Sequence, residues 1–188
     1  MLERSLLGAV HRGGMTAELA DRLDITDTVV RMGWFLDRRD WDGLRGLFTE
    51  RVYTDYTALW GGKPQEAGVD DLLSTSAQGS WRRTMDGLEA TQHLITNVLV
   101  TVSSESSESP DEARATANVL GVHRLANPHG SPLWTVGGTY DFRLVRTAAG
   151  WRIRAITYDI SWVEGNQQVL FRAAARSAAA NEAAAEAA

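Results

Sequence analysis

The chain has 188 residues, of which 44% are hydrophobic and 23% are charged, a composition that suits one globular domain with a single core. Its net charge of -5 provides no positive field for a phosphate backbone, so we expect no nucleic-acid partner. The absence of cysteine excludes disulfides, thiolate nucleophiles, iron–sulfur clusters and cysteine zinc sites.

The sequence shows neither a membrane span nor a secretory leader. Its apolar runs are far shorter than the ~18 to 20 residues that a spanning helix needs. The first 16 residues lack the apolar core and cleavage site of a signal peptide. We therefore expect a cytoplasmic protein that does not bind membranes.

Helical patterns dominate the first part of the chain. Residues 1–15 are interpreted as an extension, and apolar residues at helical spacing predict a helix over 16–37, broken near Asp24, which can serve as an N-cap. A second N-cap, Asp40, predicts a short amphipathic helix that reaches Phe48. A further short helix is predicted over 69–80.

The pattern then changes to the period of two that is typical of strands. Strands are predicted over 51–59, 91–102, 113–125, 133–145 and 151–163. Helices followed by four long strands predict an α+β cone, in which helices pack on the concave face of a curved, mostly antiparallel sheet. This domain is predicted over 16–172. The Ala-rich tail 173–188 has no apolar stripe to dock, so we expect it to fray.

No Walker loop, GxGxxG, HExxH or GxSxG motif is present, so the candidates for chemistry are isolated acids, histidines and tyrosines. His93 lies near the start of a predicted strand, on one face with Thr91, Ile95 and Asn97. It is either a hydrogen-bonded structural histidine or a functional one.

Asp37 ends the first predicted helix, where the helix dipole disfavours a carboxylate, so a cation should compensate it. Two alternatives are open. Asp37 either forms a surface ion pair with Arg38, Arg39 or Arg45, or it points inward with Val30, Gly33 and Trp34 toward a partner in the core.

His123 lies on the next long strand and can approach His93 if the two strands are neighbours. A metal site is the alternative, but no compact ligand spacing favours it, and we expect none. Tyr53 and Tyr56 are three residues apart, so only Tyr56 or Tyr53 can face a pocket. His11 and His129 are expected to be exposed.

Several short segments occur in a characteristic order and spacing between about residues 23 and 171. They are Leu36–Asp42, Asp55–Tyr56, Thr91–His93, Gly121–Leu125 with Pro128–His129, Gly137–Tyr140, Gly150–Arg152 and Asp159–Trp162. Together they resemble the SnoaL-like branch of the cone-shaped NTF2-like superfamily. Within that branch they are most similar to the scytalone dehydratases and the hexachlorocyclohexane dehydrochlorinases.

The resemblance implies roles for four residues. An Asp at the position of Asp37 orients a His at the position of His93, and that His takes a proton from a substrate carbon. A second His, matching His123, and a tyrosine, matching Tyr56, polarise the substrate carbonyl and handle the leaving water. The implied activity is that of a cofactor-independent lyase acting on a small cyclic hydroxy-ketone or a polyketide-like compound.

We expect aromatic residues to line the pocket of such an enzyme. The predicted substrate-binding residues are Trp34, Tyr140, Tyr158 and Phe171, and by resemblance Phe171 belongs to a lid after the last strand. The arginine that assists chloride departure in the dehydrochlorinases falls at Thr147 here, so dehydration is favoured over dehalogenation.

Two other functions stay open. A polyketide cyclase or isomerase would use the same base, and a non-catalytic member of the superfamily would bind a small hydrophobic or aromatic ligand in the same pocket. We also expect a homo-oligomer, because Val98, Val100 and Val102 are predicted to form an apolar stripe on the sheet face opposite His93.

Overall fold

The computed structural model describes residues 3–102, 111–128 and 130–187, with side chains from residue 17 onward. In chain order the elements are α1 (Glu3–Arg38), α2 (Trp41–Arg45), β1 (Phe48–Asp55), α3 (Thr57–Trp60), β2 (Gln65–Gly68), α4 (Val69–Leu72), α5 (Trp81–Gly87), β3 (Ala90–Val102), β4 (Glu112–Arg124), β5 (Leu133–Thr147), β6 (Gly150–Gly165) and α6 (Gln168–Glu186).

The first helix is longer than the sequence predicts. α1 begins at Glu3 and runs without a break through Asp24, so the predicted N-cap there is wrong. The buried residues Ile25, Val29, Met32 and Leu36 recur at helical spacing directly after Asp24. Because this stripe packs continuously on the sheet, the helix continues and Asp24 becomes an interior residue.

The predictions for residues 40–87 are confirmed in part. Asp40 does cap α2, since its Oδ1 accepts a hydrogen bond from the Gly43 amide at 2.9 Å, but Phe48 already belongs to β1. β1 ends at Asp55 and a helical turn follows. Of the helix predicted over 69–80, only α4 forms. The sequence analysis missed β2 and α5.

The sheet has six strands in the order β2-β1-β6-β5-β4-β3, and all neighbours are antiparallel except β1 and β6, which run parallel. The predicted α+β fold with a curved, mostly antiparallel sheet is therefore confirmed. α1 packs mainly against β3 and also against β6. Register shifts interrupt the ladders of β3, β5 and β6, and such bulges bend and twist a sheet.

One bulge changes which residues of β3 face the core. It lies between Thr96 and Leu99, where Asn97 adopts a positive φ of 53°. The extra residue moves Val98, Val100 and Val102 onto the face that packs on the core. Our reason for expecting a homo-oligomer is therefore wrong, because that apolar stripe is covered within the chain.

The Ala-rich tail forms most of α6 and packs on α5. Its buried residues are Val169, Leu170, Ala173 and Ser177. A Cβ built on Gly87 would lie 1.8 Å from the Ala173 carbonyl oxygen, so α5 and α6 meet backbone to backbone. The first part of the tail, up to Ser177, docks without a large apolar stripe because small residues allow close packing. Residues 179–187 are exposed, and fraying there stays a prediction. Among the described residues, no helix is both long and apolar enough to cross a membrane.

Candidate active site

A cavity of about 590 Å³ lies between the sheet and the helices. One wall consists of strand residues of β3 to β6, and the facing wall is formed by α1, α5 and α6. Most of its lining is apolar, and includes Met32, Leu36, Trp81, Met85, Trp134 and Val136. Such a space suits a small hydrophobic or aromatic ligand.

His93 lines the sheet wall of this cavity and is held by Asp37, which lines a second, outer groove between α1 and β3. The Asp37 Oδ1 atom lies 2.7 Å from His93 Nδ1, and Asp37 Oδ2 accepts a hydrogen bond from the His93 backbone amide at 2.8 Å. Both carboxylate oxygens are therefore held by one residue. The side chains are only 19% and 7% exposed. With Nδ1–H donating to the carboxylate, Nε2 is the ring nitrogen that carries the free electron pair.

Gly33 makes this contact geometrically feasible. A Cβ at Gly33 would lie 3.0 Å from the His93 carbonyl oxygen and 3.3 Å from the His93 Cβ atom. A side chain there would push α1 away from β3. The glycine one helical turn before Asp37 therefore lets the carboxylate reach the strand.

None of the three arginines considered as partners of Asp37 is paired with it. Arg45 forms an ion pair with Asp70, Arg39 donates to the Leu88 carbonyl, and the Arg38 guanidinium lies 3.8 Å over the Trp34 ring. The alternative of a surface ion pair is therefore excluded for these arginines, and the Asp37 carboxylate points toward His93.

His123 lies beside His93 on the neighbouring strand. The ring centroids are 5.2 Å apart with the planes at 84°. A Cβ at Gly121 would lie 3.0 Å from His123 Cε1 and 3.6 Å from His93 Cδ2, so this glycine leaves room for both rings. Burial and the nearby His93, partly offset by the Trp134 backbone, lower the pKa of His123 to about 3. His123 is therefore neutral at physiological pH, and its Nδ1 atom is buried without a partner in the described residues.

Three tyrosines form a second polar cluster in the cavity. The Tyr56 and Tyr140 hydroxyls are hydrogen-bonded to each other, and Tyr158 packs against both rings at centroid distances of 5.7 and 4.6 Å. Burial raises the pKa of all three tyrosines, so their hydroxyls stay protonated and act as donors. The Tyr158 hydroxyl is buried and has no partner in the described residues.

Of the predicted pocket residues Tyr56 and Trp34, only Tyr56 lines this cavity. Tyr56 follows β1 and lines the cavity, whereas Tyr53 points to the surface. Trp34 does not line this cavity; it is 54% exposed and borders an outer groove between α1 and β3. The prediction that Trp34 lines the pocket is wrong because Trp34 lies two residues from both Met32 and Leu36, on the opposite side of the helix.

Phe171 lies in α6 at the open end of the cavity and contacts Trp60 edge-on, with ring centroids 5.8 Å apart. The described residues contain no group of three or more His, Asp or Glu side chains arranged for a metal. The side chains of His11 and His129 lie outside the described residues.

Sequence reasoning predicted Phe171 of α6 but missed the rest of the helical wall of the cavity. Arg83 and Met85 of α5, and Trp134 of β5, line the cavity but were not predicted to do so. The signal for α5 was present in Ser80, whose Oγ accepts a hydrogen bond from the Arg83 amide at 3.1 Å. Trp134 stacks on His123 with a centroid distance of 5.1 Å.

The curved mixed sheet with a helix-covered cavity is the fold of a structure described as an NTF2-like protein from Novosphingobium aromaticivorans, which is 20% identical with a TM-score of 0.58. The SnoaL-like domain matches residues 17–157, and the chain therefore belongs to the SnoaL-like family. The resemblance inferred from the sequence is confirmed.

Individual relatives agree with this assignment. The uncharacterized protein Rv2910c of Mycobacterium tuberculosis is 28% identical over 153 residues, which cover 81% of this chain and 89% of the relative. The crystal structure of the Kfla4162 protein from Kribbella flavida is 27% identical with a TM-score of 0.72, and the match covers 82% of this chain and 99% of that chain.

More distant structures share the fold. A candidate scytalone dehydratase from Novosphingobium aromaticivorans is 18% identical with a TM-score of 0.63, covering 81% of this chain and 92% of that one. The hexachlorocyclohexane dehydrochlorinase LinA-type3 from Novosphingobium barchaimii is 16% identical with a TM-score of 0.59, covering 80% and 92%.

Proposed function

We propose that this protein is a cofactor-independent lyase that removes water from a small cyclic hydroxy-ketone. The observation that carries the proposal is the Asp37–His93 pair, which places an oriented imidazole at the wall of a largely apolar cavity. The fold shared with proteins named as a scytalone dehydratase and as dehydrochlorinases supports an elimination reaction, since both names describe one.

The first step is proton transfer from carbon to nitrogen. His93 Nε2 takes the proton α to the substrate carbonyl, and the electron pair of the broken C–H bond forms an enolate. Asp37 keeps Nδ1 protonated and stabilises the imidazolium that results. A neutral donor must stabilise the enolate oxygen, and the raised pKa of Tyr56 keeps its hydroxyl available for that role.

The second step expels the β-hydroxyl group. The enolate electrons form the C=C bond, the C–O bond breaks, and the proton held on His93 Nε2 leaves with the hydroxide as water. His93 thereby returns to its starting state without a cofactor. His123, neutral at physiological pH, hydrogen-bonds to the carbonyl or to the departing water. Tyr140, Tyr158 and Phe171 hold the ring of the substrate in this scheme.

The proton transfer can be tested without knowledge of the natural substrate. 1-Tetralone has an acidic α-proton but no leaving hydroxyl, so exchange of that proton in D₂O, followed by NMR, isolates the first step. We expect the wild type to exchange it faster than buffer and His93→Ala to fall to the buffer rate while circular dichroism stays unchanged. Asp27→Asn is the matched control, because Asp27 lies on α1 in an exposed ion pair with Arg31.

Exchange by His93→Ala at the wild-type rate would refute the proposed base. Incubation with cyclic hydroxy-ketones followed by mass spectrometry then separates the reactions that share this base. Loss of water indicates the lyase, whereas a product of unchanged mass indicates the isomerase or cyclase. Binding without exchange or turnover indicates a ligand-binding protein.

Self-association is a separate proposal. Leu94, Leu133 and Trp162 are between 40% and 46% exposed, and the first two border the outer groove together with Trp34. We expect a homo-oligomer that covers these side chains. Light scattering at micromolar concentration checks it, and a monomer would contradict it.

A further inference from the structure

A charged residue lines the cavity on α5, whereas the histidines line it on the strands β3 and β4. Arg83 lines the cavity, and polar residues of the same segment, Gln78, Ser80 and Thr84, accompany it. The sheet wall contributes His93, His123 and the tyrosines. The two walls therefore differ in character, and only the helical wall carries a permanent positive charge.

The guanidinium of Arg83 has only neutral partners. Its Nε donates to the Ala174 carbonyl at 3.4 Å, and its Nη1 donates to the Ser76 carbonyl at 3.3 Å. No carboxylate among the described residues lies within ion-pair distance of Arg83. The described residues that line the cavity include no Asp or Glu. Two long bonds to carbonyls leave most of its five donors unused.

Some arginines of the described residues are neutralised, whereas Arg22, Arg39 and Arg176 resemble Arg83 in donating to backbone carbonyls. Arg82, the preceding residue, pairs with Asp86, and Arg146 pairs with Asp21. The chain has 24 acidic residues against 19 basic ones, so carboxylates are available. Among the described residues, Arg83 is the arginine that lines the cavity, and its unused donors are best satisfied by an anion that enters with the ligand.

We propose that Arg83 binds a carboxylate of the substrate, which makes the substrate a cyclic or aromatic ketone that carries an acid group. The planar guanidinium suits a carboxylate, because two parallel N–H donors can meet its two oxygens. This inference rests on the proposed function in that His93 acts on the ring of the same molecule.

Charge also explains the orientation of such a substrate. Asp37 lies behind His93 and repels a carboxylate at the sheet wall, whereas Arg83 attracts it to the helical wall. The ring then occupies the apolar middle of the cavity, with its reactive carbon directed toward His93. Binding energy from the remote acid group is thereby used to position the reacting carbon.

The test compares two ligands of the same shape, 2-naphthoate and the neutral 2-naphthamide, by isothermal titration calorimetry on the full chain. We expect the wild type to bind naphthoate at least about tenfold more tightly, as charge-assisted hydrogen bonds allow. Arg83→Met should abolish this preference and leave the affinity for naphthamide unchanged. Arg82→Met, the matched control on the same helix, should keep the preference.

A wild-type protein that does not bind naphthoate, or that binds both ligands equally, overturns the proposal. So does a preference that survives in Arg83→Met. If Arg83→Met weakens the binding of both ligands equally, Arg83 serves to hold α6 in place, and this result would also overturn the proposal. Arg83→Gln, which keeps donors for the two carbonyls, replaces the Met variant if that one does not fold. Because no turnover is involved, the anion site and the base at His93 can fail separately.

Discussion

The cavity contains two polar clusters that satisfy their hydrogen bonds differently. In the histidine cluster, Asp37 holds both the ring and the backbone amide of His93. In the tyrosine cluster, Tyr56 and Tyr140 bond to each other, and the Tyr158 hydroxyl has no partner in the described residues. The first cluster contains the Asp37 carboxylate and the imidazole that it holds, whereas the second contains only neutral hydroxyl groups. We infer that the histidine cluster supplies the base and that the tyrosine cluster supplies donors for the substrate.

The largest effect should follow from a change of one atom in the histidine cluster. In Asp37→Asn, an amide NH₂ directed at Nδ1 would favour the tautomer with the proton on Nε2, which removes the base. We expect the exchange or turnover rate to fall about 10²- to 10⁴-fold. Far-UV circular dichroism and thermal melting should show an intact fold, and Asp27→Asn should keep the wild-type rate. A normal rate in Asp37→Asn would show that the carboxylate does not orient the base.

The second effect is a pH dependence of stability caused by His123. Its pKa is about 3 in the folded protein against an ordinary 6.5, so between these values the unfolded chain binds more protons. The stabilisation from neutral His123 is therefore complete above pH 6.5 and is lost as the pH falls toward 3. The loss is at most about 1.4 kcal/mol per pH unit.

Urea unfolding at pH 7.5 and pH 5 measures this effect. The wild type should lose about 2 kcal/mol more than His123→Gln between the two pH values, because only the wild type must keep a buried imidazole neutral. The carboxylates that titrate in this range are common to both proteins and cancel. Equal losses would mean that His123 is readily protonated in the folded state.

A smaller effect separates two members of the tyrosine cluster. Tyr56→Phe removes the proposed donor to the enolate oxygen and should lower the rate about tenfold, the value of one neutral hydrogen bond. Tyr158→Phe removes a buried hydroxyl without a partner among the described residues and keeps the ring that lines the cavity. We expect its rate to stay within about twofold and its melting temperature to equal or exceed that of the wild type. A large rate loss in Tyr158→Phe would assign the donor role to Tyr158.

The smallest effect is expected at the open end, away from both clusters. Phe171 and Trp60 are both about half exposed and contact each other across the mouth of the cavity. If Phe171 belongs to a lid, Phe171→Ala should raise KM a few-fold and leave the melting temperature unchanged. Kinetics and thermal melting check this together. A lowered melting temperature with an unchanged KM would make Phe171 a packing residue only.

The strongest sequence signals led to correct elements, and the weakest led to errors. The four long strands have a clear period of two, and the structure places their ends within a few residues of the predicted ones. α5 has only seven residues, and its signals were the Ser80 cap and the two apolar residues Trp81 and Met85, which are too few to establish a period. Trp34 was placed in the pocket as an aromatic residue three positions before Asp37, although it lies on the side of α1 opposite Met32 and Leu36.

The candidate base could be foreseen because its parts are local. Asp37 ends a helix and needs a counter-group, and His93 starts a strand; the resemblance to the SnoaL-like proteins joined them. The distances could not be foreseen, since they depend on Gly33 and Gly121, whose missing side chains let α1 and the two rings approach. A glycine in a sequence does not indicate which atoms will occupy the space that it leaves.

By itself, the sequence determined the fold class, the long strands and Asp37, His93 and His123 as candidates, because periodicity and residue type are local properties. The choice of Tyr56 over Tyr53 came from the resemblance to the SnoaL-like proteins. Only the tertiary structure decided which face of β3 is buried after Asn97, how α6 packs against Gly87, and that Arg83 faces the cavity without a carboxylate. These outcomes depend on contacts between segments far apart in the chain. One extra residue in a strand turns the side chains that follow it to the other face of the sheet. One missing Cβ lets two elements approach closely, and neither change alters the local sequence pattern.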